Sequence, residues 1–232
     1  MDNQQTLNIM QIQQDLQEAG FYKGRIDGIW GDKSKAAFEE ALSVRQKQQI
    51  CKIGNVKPNY KKVAWGAKVS QEFKERVHWI AAALRMPVNG SDWLMACMAW
   101  ESAETFSPSV KNMAGSGAVG LIQFMPKTAI GLGTTTVKLA NMTAVQQLEY
   151  VYKYFSPYEG RLNNLSDVYM SILWPLAVGK PERATLWDKE QRPTTYRQNA
   201  GLDINKDGVI TKAEAATKVQ QTLNVGLEKY RG

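Results

Sequence analysis

The chain is poor in the residues that hold small secreted domains and many metalloenzymes together. Its 232 residues include two cysteines, Cys51 and Cys97, and one histidine, His78. Two cysteines cannot build a disulfide framework, and we expect both to be reduced, with Cys97 buried in an apolar helical run. These residues also provide no zinc cluster and no nucleophile–histidine–acid triad, which argues against amidase or peptidase chemistry.

Long apolar runs are missing as well. No stretch of the sequence approaches the roughly 18 apolar residues that span a bilayer. The polar first residues lack the charged and then apolar layout of a signal peptide. We therefore expect a chain that is made in the cytoplasm, without stable membrane insertion. A separate membrane-permeabilising protein would have to release it for any action on the cell wall.

Acidic residues are outnumbered by basic ones, and the net charge is +7. The excess is concentrated in residues 45–90, which contain ten Lys and Arg against two Glu. Such charge attracts polyanions, among them nucleic acid, anionic lipid and cell-wall polymers. No nucleic-acid recognition motif accompanies the charge, so we expect no nucleic-acid partner. A solvated basic linker explains the charge at least as well as a binding patch does.

Helical spacing of apolar residues and turn-forming glycines divide the chain into two helical units joined by a linker. In the first unit, one helix ends at Gly20 and a second helix follows the turn at Gly28. We assign residues 1–45 to this small unit, 46–69 to a basic linker and 70–232 to the larger domain.

The larger domain is predicted to be mainly α, because strand-like alternation is scarce. Ser70 and Ser91 are the predicted caps of two helices, and residues 93–100 of the second are uncharged, which favours burial nearly all round. Further helical runs cover residues 143–155, 165–174 and 211–229.

Glu101 ends the buried second helix and is the first candidate for chemistry. Leu94, Cys97 and Met98 precede it by one or two turns on the same side. Burial should raise the pKa of the carboxyl group, and a raised pKa suits a general acid for glycosidic cleavage at neutral pH. The alternative is a helix-terminal glutamate that points to water, and position alone favours that alternative.

The residues that follow Glu101 reverse this preference. The pattern Glu101-Ser102, Gly120-Leu121-Ile122-Gln123, Met125-Pro126 and Thr128-Ala129 resembles the lytic transglycosylase domain of the lysozyme-like superfamily. The resemblance implies that Glu101 is the catalytic acid and that Ser102 and Gln123 contact the glycan, although Ser102 can equally cap the helix.

A later Ala-Tyr-Asn-Ala-Gly element of that family is absent in its usual form. The nearest match is the segment 196–201, so Tyr196 and Asn199 are carried over as substrate-binding residues, with Tyr169 as a competing candidate.

The type of reaction depends on a second carboxylate. The sequence has no Asp or Glu between Glu104 and Glu149, so the loop beside the catalytic helix cannot supply one. We expect a lytic transglycosylase that cleaves the MurNAc–GlcNAc β-1,4 bond and yields 1,6-anhydro-MurNAc, with Glu101 serving as acid and then as base. A distant carboxylate such as Asp167 can fold back into the cleft, which keeps a hydrolytic muramidase open as the alternative.

The first unit is similar to the helical peptidoglycan-binding domain found beside many wall-degrading enzymes. The match includes Gly20-Phe21-Tyr22, Gly24, Ile26-Asp27-Gly28-Ile29-Trp30-Gly31 and Ala36-Ala37-Phe38. The resemblance implies binding to the wall, with Tyr22, Asp27 and Trp30 as the contact residues. A purely structural explanation is that the glycines form turns and the tryptophan pins the helices.

A calcium-like loop lies near the end of the chain, at residues 203–214. The spacing of an EF-hand loop is matched by Asp203, Asn205, Asp207, Val209, Thr211 and Glu214. Pro193 and Gly201 are predicted to interrupt the preceding helix, so at best half an EF-hand is expected. A structural Ca²⁺ and a metal-free loop held by its own hydrogen bonds both remain open. No cofactor is expected for catalysis.

Together the two units resemble a modular phage endolysin directed at Gram-negative walls. The resemblance implies a monomer that acts on peptidoglycan, first in the cytoplasm of the host bacterium and then in the periplasm and cell wall. A non-catalytic wall-binding or virion structural protein is the alternative of another class.

Overall fold

The computed structural model describes residues 10, 13–29, 31–34, 36–37, 40–41, 62–111 and 115–232. The chain divides into two compact units, Met1–Asn59 and Tyr60–Gly232. The prediction of a mainly α fold is confirmed, since the second unit consists of helices and two short strands. None of the helices in the described part of the chain combines the length and apolarity required to cross a bilayer. Cys97 is buried and forms no disulfide within the described residues, and Cys51 lies outside them.

The second unit is built around one central helix. Its elements are α1 (Gln71–Ala83), α2 (Gly90–Glu101), α3 (Pro126–Gly131), α4 (Thr136–Ala140), α5 (Ala144–Phe155), α6 (Leu165–Leu173), β1 (Thr185–Asp188), α7 (Pro193–Asn199), β2 (Val209–Thr211) and α8 (Lys212–Lys229), with 3-10 turns at Gly66–Lys68, Ser156–Tyr158, Pro175–Ala177 and Ala200–Leu202. Helix α2 packs against α1, α6 and α8. All of residues 94–99 are buried, as the uncharged run predicts.

Capping residues set the starts of several helices. Ser70 accepts a hydrogen bond from the Phe73 N–H at the start of α1, and Thr143 and Thr211 form capping boxes at α5 and α8. The predicted cap at Ser91 is wrong, because α2 already begins at Gly90. The Ser91 hydroxyl instead lies 2.9 Å from His78 Nδ1 on α1.

Residues 62–69, which the sequence assigned to the linker, are part of the second unit. Trp65 is fully buried, and its indole N–H donates to the Thr222 carbonyl of α8. A Cβ atom on Gly226 would lie 2.3 Å from the Trp65 ring, so α8 needs glycine at that point. The folded unit therefore begins before the predicted boundary at residue 70, because a tryptophan anchors this segment.

The second strand, β2, lies within the calcium-like loop. Strands β1 and β2 pair antiparallel, with Trp187 opposite Ile210 and an irregularity beside Trp187. Helix α8 follows β2 directly.

The first unit is held by a buried glutamine. Residues 13–18 are helical, and the helix ends at Gly20, whose φ is +83°, as predicted. The Gln13 side chain is fully buried, and its Oε1 accepts the N–H groups of Asp27 and Gly28. This amide fixes the Asp27-Gly28 turn against the helix. A small core of Leu16, Tyr22 and Ala37 completes the described part of the unit.

Candidate active site

Glu101 is the last residue of α2 and is half-buried. Burial raises the pKa of its carboxyl group to about 7, because the ionised form loses hydration. The carboxyl end of a helix also carries partial negative charge, which acts in the same direction. The predicted rise in pKa is therefore present, and it places this group where it can both donate and accept a proton near neutral pH.

Two tyrosines lie within electrostatic range of Glu101. Burial raises the pKa of Tyr169 and of Tyr154 well above the usual value, and the charge of Glu101 adds to both shifts. Tyr169 accepts a hydrogen bond from the indole N–H of Trp100 at 3.3 Å, which does not use its own proton. Tyr154 donates to the Ser171 carbonyl at 2.7 Å. Both hydroxyls therefore stay neutral within the electrostatic range of the carboxyl group.

The chain turns sharply directly after Glu101. Ala103, Glu104 and Phe106 all have positive φ angles, between 51° and 64°, a conformation that costs free energy for residues other than glycine. The Ser102 hydroxyl accepts a hydrogen bond from the Phe106 N–H at 3.0 Å. Because Ser102 is fully buried, it stabilises this turn and presents no surface to a glycan, which is the capping alternative rather than the substrate-binding one.

A second loop, residues 119–124, is linked by hydrogen bonds of Gln147 of α5 to the segment just after this turn. The buried Gln147 amide donates to the Pro108 carbonyl and accepts from the Leu121 N–H at 2.7 Å. Gly120 has a φ of +87°, and a Cβ atom there would lie 2.3 Å from Gln147 Oε1. The close approach of the Gln147 side chain therefore requires glycine at position 120.

Gln123 lies at the tip of that second loop with a φ of 52°. Its side-chain amide donates to the carbonyls of Val110 and Gly120, so it closes the loop. It is half-buried, which keeps part of the side chain at the surface. Trp100, which precedes Glu101, and Met125, two residues after Gln123, are exposed at 40% and 47% and present flat and apolar surface.

The carboxylates that could assist Glu101 are otherwise engaged. Asp167 is buried on α6, where its Oδ1 lies 2.5 Å from Lys212 Nζ and accepts from the Gly179 N–H. Glu149 pairs with Arg76, and Glu104 is exposed to solvent. The alternative in which Asp167 folds back into the cleft is not the arrangement found here, because a buried lysine holds it.

Tyr196 and Asn199 are placed away from this group of residues. Both lie on α7, where Asn199 donates to the Thr195 carbonyl. The Tyr196 hydroxyl donates to Asp203 Oδ2 at 2.6 Å, and this bond raises the pKa of the tyrosine. Tyr196 therefore contacts the calcium-like loop, and Asn199 bonds within its own helix. Burial and the charge of Glu101 raise the pKa of Tyr169, the competing candidate, and also that of Tyr154. Tyr154 was missed because nothing in its local sequence marks it.

The helix before the calcium-like loop is present, so that part of the prediction is wrong. Pro193 is the first residue of α7, a position that tolerates proline because the missing N–H has no helical partner. The helix continues as the 3-10 turn Ala200–Leu202 directly before Asp203. The loop is therefore flanked by a helix on both sides.

The predicted wall-contact residues of the first unit have structural partners. Tyr22 is buried, and its hydroxyl donates to the Arg25 carbonyl. The Asp27 carboxylate is exposed and accepts hydrogen bonds from the Ile29 N–H and from Gln13, which lower its pKa. Of these two, Asp27 alone presents its side chain to solvent. Trp30 lies outside the described residues.

A cavity of about 300 Å³ opens between the start of α6 and one face of α8. Its lining includes Asn164, Ser166, Glu182 and Thr217, and neither Glu101 nor the two tyrosines contribute to it. A glycan strand is a long polymer, so the exposed surface around Trp100 suits it better than this small depression.

Comparison with known proteins found no family model that matches the chain and no curated protein that matches it. The function is therefore argued from the residues and their geometry.

Proposed function

We propose that the chain cleaves the MurNAc–GlcNAc β-1,4 bond of peptidoglycan as a lytic transglycosylase. The observation that carries the proposal is the pKa of about 7 of Glu101, at the end of a buried helix. A carboxyl group with such a pKa can hold the proton that the leaving oxygen requires near neutral pH.

The mechanism uses Glu101 twice. As an acid, it protonates the glycosidic oxygen, and the bond to C1 of MurNAc breaks. The MurNAc N-acetyl group stabilises the developing positive charge. As a base, Glu101 then takes the proton of the C6 hydroxyl, and that oxygen bonds to C1 to close the 1,6-anhydro ring. The first proton leaves on the released sugar hydroxyl, the C6 hydroxyl supplies its replacement, and Glu101 is again protonated at the end without any water being consumed.

The engagement of Asp167 by Lys212 supports this path over hydrolysis. A two-carboxylate glycosidase needs its second group about 5–10 Å from the first and able to act as nucleophile or base. A carboxylate paired with a buried lysine is poorly suited to either role. Tyr169, whose proton is not used in its bond to Trp100, is a donor for the substrate near the reacting carboxyl group.

The first unit is proposed to hold the enzyme on its insoluble substrate, which raises the local concentration of cleavable bonds. The whole chain would then act as a monomeric phage endolysin, released to the wall of the host bacterium by a separate membrane-permeabilising protein. This proposal rests on the resemblance of residues 1–45 to peptidoglycan-binding domains.

The decisive experiment is digestion of purified peptidoglycan followed by mass spectrometry of the soluble fragments. Wild type is compared with Glu101→Gln and with Glu104→Gln, a matched control at an exposed position three residues later. We expect anhydro-MurNAc ends from wild type and from the control, and a loss of at least about 100-fold for Glu101→Gln. Reducing-end MurNAc would replace the transglycosylase with a muramidase. Binding without any fragments would leave a wall-binding protein.

A further inference from the structure

Two carboxylate oxygens in the loop 203–214 are buried without a hydrogen-bond partner among the described residues. They are Oδ1 of Asp203 and Oε1 of Glu214. Asp203 is 7% exposed, so water does not readily solvate its lone oxygen. A buried and unsatisfied carboxylate oxygen costs several kcal/mol in general, which indicates that a ligand for these oxygens is missing from the protein's own contacts.

The second oxygen of each of these carboxylates holds the side chain in place through hydrogen bonds. Asp203 Oδ2 accepts from the Tyr196 hydroxyl and from the Gly208 N–H. Glu214 Oε2 accepts from both the N–H and the hydroxyl of Thr211. Each carboxylate thus uses one oxygen to fix its position and leaves the other one unpaired, at the first and last positions of the loop.

The backbone between them has the conformation that a cation-binding loop needs. Gly208, at the sixth position, has a φ of +89°, which a residue with a Cβ adopts only with strain. Val209 then enters β2, where pairing with Asp188 of β1 fixes the orientation of its peptide. The chain therefore turns at Gly208, between Asp207 and Val209, the residue that would supply a carbonyl donor.

We propose that this loop binds one Ca²⁺ ion. The donors are carboxylates of Asp203, Asp207 and Glu214, the Asn205 amide, the Val209 carbonyl and the Thr211 hydroxyl or a water bound to it. All are hard oxygen donors, which suit Ca²⁺ and exclude a preference for zinc or copper. Within the described ranges, no three His, Cys, Asp or Glu side chains form a metal cluster by themselves. The three proposed carboxylates are therefore not gathered around one point, and at least Asp207, whose oxygens accept from Asn205 and from the Val209 N–H, must turn toward the ion as it binds.

The ion would act on the core of the second unit through Lys212. This residue belongs to the same loop, between Thr211 and Glu214, and its ammonium group is fully buried against Asp167 of α6. An ion that fixes the start of α8 would also fix Lys212. The site is therefore structural, and it is independent of whether the chain cleaves glycan.

The test uses the full chain, stripped of metal, in two measurements. Thermal melting is followed with CaCl₂, with MgCl₂ and with chelator. Sensitised Tb³⁺ luminescence is excited through the tyrosines, because Tyr196 hydrogen-bonds a proposed ligand. With Ca²⁺ at about 100 times its Kd we expect the Tm to rise by about 5–10 °C, and we expect a smaller rise with Mg²⁺, which is reluctant to give up its bound waters.

Glu214→Gln is the informative variant, because glutamine keeps an acceptor for the Thr211 bonds and removes the charge. It should melt near the metal-free wild type and lose both the Ca²⁺ shift and the Tb³⁺ signal. Glu228→Gln, at an exposed position of the same helix, should keep both. A wild-type Tm that does not respond to Ca²⁺, an equal response to Mg²⁺, or a full Ca²⁺ shift in Glu214→Gln would overturn the proposal.

Discussion

The ammonium group of Lys212 lies 2.5 Å from Oδ1 of Asp167, and both side chains are buried in the second unit. Lys212 Nζ also donates to the Lys180 carbonyl at 2.8 Å. The pair joins the start of α8 to α6, the helix that carries Tyr169. It also engages the carboxylate that the sequence suggested as an example of a second group for hydrolysis.

Removal of the lysine should therefore be costly. We expect Lys212→Met to lower the free energy of unfolding by about 3–5 kcal/mol, because Asp167 is left as an uncompensated buried charge. The double variant Asp167→Asn with Lys212→Met should recover at least half of that loss, since asparagine still accepts from the Gly179 N–H. Urea unfolding measures both, and a loss below about 1 kcal/mol for Lys212→Met would contradict the buried charge pair.

The ionisation of Glu101 should oppose folding at high pH. Its pKa is about 7 in the folded chain against an ordinary value of 4.5, so the folded state holds the proton more tightly than the unfolded state. Stability is then lost as pH rises from about 4.5 to 7, by about 3 kcal/mol. Glu101→Gln should exceed wild type by that amount at pH 8 and match it near pH 4. Urea midpoints at the two pH values test this, and Glu104→Gln should show no such difference.

Two glycines of the loop after α2 provide a matched pair. Gly120→Ala should destabilise the chain by about 3–4 kcal/mol, because its Cβ would meet Gln147 at a strained φ. Gly115→Ala has a similar φ of +76° but nothing within 4 Å of the added Cβ, so it should cost about 1–2 kcal/mol. Thermal melting of both variants separates the cost of backbone strain from the cost of the steric clash. Equal losses of stability would mean that the clash with Gln147 contributes nothing.

Variants of two tyrosines distinguish Tyr169, whose pKa is affected by Glu101, from Tyr196, which was carried over from the sequence pattern. If the chain cleaves glycan, Tyr169→Phe should lower kcat about 10- to 100-fold, since it removes a hydroxyl proton near the reacting group. Tyr196→Phe should leave kcat unchanged and lower the Tm, because it removes a bond to Asp203. Cleavage rates on purified peptidoglycan test this prediction. The reverse pattern would favour Tyr196 as the tyrosine of the glycan cleft.

The segment before α1 should matter as much as the core. Trp65→Ala is expected to cost about 3–5 kcal/mol, because the side chain is fully buried. Trp79→Ala, at 37% exposure on α1, is the control and should cost about 1 kcal/mol. If the two losses in urea unfolding were equal, residues 62–69 would behave as a linker after all.

Local patterns in the sequence determined the features that depend on nearby residues. The uncharged run at residues 93–100 predicted a buried helix with Glu101 at its end, because all of these residues are apolar. The caps at Thr143 and Thr211 follow from side chains that bond to backbone within three residues. The oxygen donors of the loop 203–214 were equally visible, since their spacing is fixed along the chain.

Only the tertiary structure decided which groups meet across the fold. Lys212 and Asp167 are 45 residues apart, and Gln147 is 26 residues from Leu121, so no local periodicity relates them. Trp65 resembled one residue of a basic linker until its burial against α8 was known. The same holds for Glu101: its place at the end of an apolar run was visible in the sequence, but its pKa depends on desolvation by side chains that surround it only after they have packed around the end of α2.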